Sequence, residues 1–320
     1  MSRLAIFIGL LLIIVSCNNS TPSGRYISES DTGFSPDIRS ASAKINKDPD
    51  NSELYYLRGN AFYFEKRYKD AILDLEWACK LNATQPLYHL KAAESYLALD
   101  SAQPINAREH LTTAIKLKSD FHEAKALLAY LMLARQQYGD AEKLYLELQQ
   151  VPDYREKSLV YRAVAAKEQK DTASALNLLQ LVLKENSENY DATMQYTLLL
   201  MAQRDPQSLM WAKKAATMNE FNDEALYHYG LACQWEESYK TAMELYERTL
   251  KLNPNHVMAR YNMAVIEFEF DNYSTAADHC KKIIESAPDF KKAYILQSKC
   301  EEKLGNKKAA QKLLQAASRI

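Results

Sequence analysis

Three observations predict an all-α array of about eight helix–turn–helix hairpins. The first is a small residue that recurs at near-fixed spacing: Gly59, Ala93, Ala129, Ala163, Thr197, Gly230, Ala264 and Ser298, separated by 34, 36, 34, 34, 33, 34 and 34 residues. The second is another small residue twelve positions later in most repeats: Ala71, Ala141, Ala175, Ala242, Ala276 and Ala310, delayed by two to Ala107 in the second repeat. The third is that 7 glycines and 9 prolines are few for 320 residues. They fall mostly where a hairpin needs punctuation, as at Gly139, Gly305, Pro152, Pro254 and Pro288, which leaves little room for β structure. Two helix backbones approach closely only where side chains are small, so one such position on each helix fixes a tight hairpin that stacks on its neighbours.

In chain order, an N-terminal helix or partial repeat is expected at 36–51. Repeats follow at 52–85, 86–121, 122–155, 156–189, 190–222, 223–256, 257–290 and 291–320. The first repeat shows Tyr55, Gly59, Phe62, Tyr68, Ala71, Leu75 and Ala78, and the sixth shows Leu226, Gly230, Tyr239, Ala242, Tyr246 and Pro254. This order of aromatics, small residues and a terminal proline resembles the tetratricopeptide repeat (TPR) family, whose fold is a right-handed superhelix, an α-solenoid. The fifth repeat departs most, with Thr197 at the first small position, Leu209 at the second and Pro206 between the helices. A solenoid grows by stacking, so one elongated domain is expected rather than two globular ones.

Ahead of the array, Arg3 precedes an apolar run from Leu4 to Val15 that ends in Ser16-Cys17. At 1–16 the run is shorter than the ~20 residues of a bilayer-spanning helix and reads as a signal peptide. It resembles a bacterial lipobox, which implies that Cys17 becomes the first residue and carries acyl chains; several chains on one cysteine suit stable anchoring. The start Cys17-Asn18-Asn19-Ser20 lacks an inner-membrane retention aspartate and an acidic surface-export run. The resemblance therefore implies the outer membrane, periplasmic side, in preference to the inner membrane. Residues 17–35 are rich in Asn, Ser, Thr, Gly and Pro and read as a flexible tether reaching up to roughly 60 Å.

Charge and chemistry narrow the function. A formal net charge of -1 lacks the electrostatic footprint of a nucleic-acid binder. The last repeat is locally basic, with Lys291, Lys292, Lys299, Lys303, Lys307, Lys308, Lys312 and Arg319 against Glu301 and Glu302. Two readings stand: solvation of the array's end, or contact with anionic headgroups or an acidic partner. The six histidines, His89, His110, His122, His228, His256 and His279, lack the i, i+4 pairing of a helical metal site, so no metal is expected. No nucleophile–base motif and no glycine-rich phosphate loop is present, so neither catalysis, a cofactor nor a small-molecule substrate is expected. Cys79, Cys233, Cys280 and Cys300 read as buried thiols, with Cys280–Cys300 the one pair placed to form a disulfide. Asp100-Ser101-Ala102 and Asp171-Thr172-Ala173 resemble short O-glycosylation sequons of the Bacteroidota, which would place glycans on Ser101 and Thr172 in loops between paired helices.

In TPR proteins the fifth, ninth, twelfth and thirteenth positions of each first helix face the concave groove. Carried over, the resemblance puts Tyr56, Tyr63 and Phe64, Tyr130, Met194 and Met201, Tyr227 and Trp235, and Tyr261 and Phe268 on that surface. About half are expected in the core, with Tyr63, Tyr130, Met201, Trp235 and Phe268 exposed. No three consecutive repeats supply the Lys, Asn and Arg set of the carboxylate-clamp subgroup, which grips acidic chaperone tails. An apolar trough bearing Tyr and Met suits an amphipathic helix or an extended hydrophobic peptide. The expected function is a membrane-anchored, non-enzymatic periplasmic scaffold whose partners are other envelope proteins or peptides. It resembles lipoproteins that serve envelope assembly or secretion, and the alternative is a periplasmic holdase or capture subunit for exported polypeptides.

Overall fold

The computed structural model describes residues 27–28 and 31–320. Every regular element among them is an α-helix, and seventeen are present. A lone helix, α1 (Pro36–Ile45), precedes eight pairs. These are α2 (Ser52–Phe64) with α3 (Tyr68–Leu81), α4 (Pro86–Ala98) with α5 (Pro104–Leu117), α6 (His122–Ala134) with α7 (Tyr138–Leu148), and α8 (Pro152–Glu168) with α9 (Thr172–Glu185). They continue as α10 (Tyr190–Ala202) with α11 (Ser208–Met218), α12 (Asp223–Trp235) with α13 (Tyr239–Leu252), α14 (Val257–Glu269) with α15 (Tyr273–Ser286), and α16 (Lys291–Lys303) with α17 (Lys307–Ala317). No helix among the described residues is long and apolar enough to cross a membrane.

Helix starts follow local chemistry. Proline, whose missing N–H is no loss in a first turn, opens α1, α4, α5 and α8. The side chains of Asn51, Asp171, Asn189, Asn222 and His256 accept first-turn N–H groups of α2, α9, α10, α12 and α14. Pro152 starts α8 one turn ahead of the repeat boundary drawn at 156, giving this helix 17 residues where the other first helices have 13.

The turns inside the pairs repeat one device. Lys66, Gln136, Lys170, Arg204, Glu237, Asp271 and Gly305 all have positive φ. In each case the next amide bonds back to the helix it leaves, as in Arg67 N to Phe62 O at 2.9 Å and Ser238 N to Cys233 O at 2.9 Å. This is a Schellman closure, and only the last repeat gives it to glycine. Gly139, read as punctuation in the sequence, lies inside α7 instead, and Gln136 takes the left-handed position. The second repeat carries two extra residues between α4 and α5, and its helix exits through an extended Leu99. Between pairs, Asn82, Asn186, Asn219 and Asn253 end the second helices, and each side-chain oxygen accepts the amide two residues on.

The small positions are where the helices touch. All eight first-helix positions and the seven alanines of the second helices are buried. A Cβ on Gly59 would lie 2.8 Å from Leu75 Cγ and 3.2 Å from the Ala71 carbonyl oxygen; on Gly230 it would lie 2.8 Å from the Tyr246 ring. In the last pair the Ser298 hydroxyl donates to the Ala310 carbonyl at 2.9 Å, a bond that only adjoining backbones permit. The fifth repeat corrects the sequence reading: its second small residue is Ser208, not Leu209. Four and seven residues after that position, buried side chains recur through the array (Leu75 and Ala78, Leu179 and Val182, Tyr246 and Thr249), and here Ala212 and Ala215 fill them. The missing residue has therefore been lost from the turn holding Pro206, not from the helix.

The helices group into two compact units that divide within α7, one up to Leu144 and one from Tyr145 onward. In the N-terminal unit, Ile27 and Phe34 pack with Ile38, Phe62 and Leu75. This corrects the expectation of a free tether over 17–35, whose far end is docked: Phe34 meets Phe62 edge-on at 6.2 Å, and the Arg67 guanidinium lies 4.4 Å over the Phe34 ring. Beneath them Arg58 makes a two-pronged bond to Asp74, at 2.6 and 2.8 Å, and reaches Ser42 Oγ at 3.2 Å. That buried ion pair ties α1, α2 and α3. The C-terminal unit is held by apolar clusters around Leu159, Leu179 and Tyr196, around Leu226, Tyr246 and Met263, and around Cys280, Ile283 and Leu296. At its end Leu314, four residues after Ala310, is 51% exposed, where its counterparts in earlier repeats lie inside.

Candidate functional site

Some successive first helices touch one another, α2 with α4, α8 with α10, and α14 with α16, and the predicted groove residues lie on the first helices. In the N-terminal unit these positions are aromatic and open. Tyr56 stacks on Tyr88 with centroids 5.0 Å apart, and Tyr63 meets Tyr68 and Phe64 edge-on at 5.6 and 5.8 Å. Lys91 lies 5.8 Å over the Tyr63 ring while pairing with Glu94 at 2.7 Å. Partial burial raises the Tyr56 and Tyr63 hydroxyl pKa values, so both are neutral hydrogen-bonding groups around pH 7. Phe64 is 71% and Tyr130 51% exposed.

The C-terminal unit treats the same positions differently. Met201, expected to be exposed, is 6% exposed and packs with Ala212 and Ala232. Tyr227 is 7% exposed, its ring 4.8 Å from that of His256. Met201 turns inward where the small Ala212 and Ala232 lie opposite it, and Tyr227 is covered by the His256 ring. Met194 packs on the Leu226 cluster, Tyr261 meets Phe290 edge-on at 5.4 Å, and Phe268 meets Tyr273 at 5.2 Å. Trp235 is half-buried, with the Arg204 guanidinium 3.8 Å over its ring. Where α8 faces α10 the surface is polar, contrary to the apolar trough expected. A depression of about 670 Å³ is lined by Val160 and Val164 together with Asp153, Glu156, Lys157 and Gln195. There Glu156 accepts from Asn189 at 2.7 Å and from Asn186 at 3.0 Å.

The remaining sequence candidates fall as follows. Cys17 lies outside the described residues. Ser101 is exposed in the loop between α4 and α5. Thr172 is not in a loop but is the first residue of α9, and Asp171 serves as its helix cap by accepting from Ser174 N at 3.0 Å. Cys79, Cys233, Cys280 and Cys300 are free and buried. Burial pushes the Cys79 and Cys280 thiols up to about 12 and Cys300 to about 11, which keeps them protonated and weakly nucleophilic. The eight basic side chains of the last repeat are all exposed.

The structure also assembles a group that the sequence kept apart. His89 of α4 and His110 of α5, 21 residues distant, bring their Nδ1 atoms to 3.0 Å. Cys79 of α3 offers its sulfur beside them, and the three candidate ligand atoms lie within 4.8 Å of one another. Behind them His110 Nε2 meets Glu76 Oε1 at 2.9 Å, and Tyr96 donates to the same oxygen at 2.6 Å. The hydrogen bond from His110 holds the Glu76 carboxyl below its usual range. The i, i+4 test on a single helix cannot find ligands drawn from three helices; comparing the inward faces of adjacent helices would have found them.

Comparison with known proteins agrees with this architecture. The model of the family described as anaphase-promoting complex, cyclosome, subunit 3 matches residues 201–283. The Hsp70-Hsp90 organising protein of Plasmodium falciparum (isolate 3D7) is 32% identical over 69 residues, 22% of this chain and 12% of that protein, so the chain spans about an eighth of this curated relative. Among solved structures, the APC/C hetero-tetramer Cut9-Hcn1 superposes with a TM-score of 0.61 at 14% identity, covering 82% of this chain and 52% of that one. Pseudomonas aeruginosa PilF superposes with a TM-score of 0.54 at 17% identity, covering 65% and 94%. The chain has the fold of these structures, an α-solenoid of paired helices.

Proposed function

We propose that the chain is a non-enzymatic scaffold that holds other polypeptides against its first-helix face. The observation that carries this reading is the pair of large, open aromatics in the N-terminal unit, Phe64 and Tyr130, at positions that TPR arrays turn toward a bound peptide. Exposed aromatic surface flanked by a Lys91–Glu94 pair suits an amphipathic helix or an extended hydrophobic peptide, with ring area supplying affinity and the rim pair orienting it. The name of the Plasmodium relative, an organiser of Hsp70 and Hsp90, supports a scaffold role, although the carboxylate-clamp residues are missing here.

In this proposal the chain is tethered to the outer membrane through acylated Cys17, on the periplasmic side, and serves envelope assembly or secretion. The lipobox-like run supports the anchor, and the docked Ile27 shortens the tether. The ten residues from Cys17 to Ile27 reach at most about 35 Å, so the array works close to the membrane. A photocrosslinker at Phe64 or Tyr130 in the native host should trap one stoichiometric envelope protein, and Cys17→Ser should move the protein to the soluble fraction. Trapping of many unrelated exported chains would instead make it a holdase, and no adduct at either position would remove the face from consideration.

A further inference from the structure

We propose that Cys79, His89 and His110 form a zinc site that pins α3, α4 and α5 together. The outer nitrogens of both rings face acceptors: His110 Nε2 faces Glu76 Oε1, the oxygen that also accepts from Tyr96, at 2.9 Å, and His89 Nε2 faces the Ala83 carbonyl at 3.4 Å. Each ring is thereby set to carry its proton on Nε2, which leaves two Nδ1 lone pairs pointing at each other across 3.0 Å. Two lone pairs at that distance repel unless a cation lies between them. The cation is either an extra proton or a metal ion, and three features favour the metal.

The first is Cys79, a buried sulfur donor that a shared proton would leave unused. The second is that Cys79 and His89 are both buried, so the donors converge inside the helix junction rather than at a solvated surface. The third is the outer arrangement of carboxylate, histidine and inner nitrogen, which fixes ring orientation and raises donor strength in metal sites. Donors of the N, N, S kind select zinc over calcium or magnesium. With Zn–N near 2.0–2.1 Å and Zn–S near 2.3 Å, tetrahedral coordination sets nitrogens about 3.3 Å apart and sulfur about 3.6 Å from each. The rings already hold nearly that spacing, and the sulfur has to approach by roughly an ångström from the present outer limit of 4.8 Å. On binding, the Cys79 thiol proton is released to solvent. The fourth position is left to water.

The test uses the purified full-length chain stripped of metal and dialysed against zinc in the presence of a weak chelator. One retained equivalent and a higher melting temperature are expected. Cobalt(II) in the same chain should give visible bands of tetrahedral intensity and a thiolate-to-cobalt charge-transfer band, which Cys79→Ser abolishes and Cys233→Ser leaves intact. Glu76→Gln should weaken zinc binding by about 10–100-fold. The cobalt spectrum needs no substitution, so the proposal is testable even where Cys79→Ser or His110→Asn unfolds the unit. Loss of all zinc to the weak chelator, a cobalt spectrum without the thiolate band, or ring-nitrogen shifts of a shared His89–His110 proton unchanged by excess zinc would each overturn it.

Discussion

The two compact units share one repeat but differ in which charges they bury and which rings they leave open. The N-terminal unit buries charge and metal-ligating chemistry between helices, in Arg58–Asp74 and the Cys79–His89–His110 group, and leaves aromatic rings open on its first-helix face. The C-terminal unit turns Met201 and Tyr227 inward, covers Trp235 with Arg204, and places the Arg155–Glu185 pair at the surface. Stacking therefore fixes backbone spacing and small residues but not which face carries the sticky groups. That freedom lets one array carry open rings in one region and covered rings in another.

The largest expected effect tests the buried charge. Arg58→Ala strands Asp74 among apolar groups and should destabilise the N-terminal unit by about 3–5 kcal/mol in denaturant titration, whereas the double substitution Arg58→Met with Asp74→Leu should recover most of it. Arg155→Ala, at an exposed pair, should leave the midpoint unmoved; equal losses at the two sites would end the contrast.

Acid is expected to act next, on the C-terminal unit. Burial lowers the His228 pKa from 6.5 to about 4, so the unfolded chain takes up the proton first as pH falls. Stability is full above about pH 7 and declines between roughly 6.5 and 4, by up to about 3 kcal/mol. His228→Gln should flatten that slope, and an unchanged slope would assign it to other groups.

Phe64→Ala and Tyr130→Ala should each weaken partner capture by tenfold or more, about 1.4 kcal/mol, with thermal stability unchanged. Trp235→Ala should do the reverse, lowering stability while sparing capture. A pull-down that ranks Trp235 above Phe64 would move the docking surface to the C-terminal unit.

The smallest effect concerns the turns. Lys66→Gly and Glu237→Gly relieve a left-handed residue and should each add about 1 kcal/mol, while Gly305→Ala should subtract a comparable amount. Equal gains in both units would show that the turn device, unlike the buried charges, is common to the whole array.

Much of this organisation is legible in the residues. The period, the hairpin count and the close contacts follow from Gly, Ala, Ser and Thr recurring about 34 apart, because only small side chains admit touching backbones. The slip at Leu209 shows the limit of fixed spacing: the Ser208 to Gly230 interval keeps the 22 residues found from Ala242 to Ala264, so the deletion belongs to the turn. Prolines that open helices are legible in the residues, and so is the recurrence of Asn82, Asn186, Asn219 and Asn253 at the ends of second helices, but their turn role rests on a side-chain bond to the amide two residues on.

What the sequence determined by itself is the hairpin and its repetition, since these rest on contacts within about 34 residues along the chain. Tertiary structure alone decided which rings stay open, that Ile27 and Phe34 dock, and that a thiol and two imidazoles converge. Those outcomes depend on what lies opposite each side chain on another helix, and a periodic pattern specifies the distance between backbones without naming the groups that meet across it.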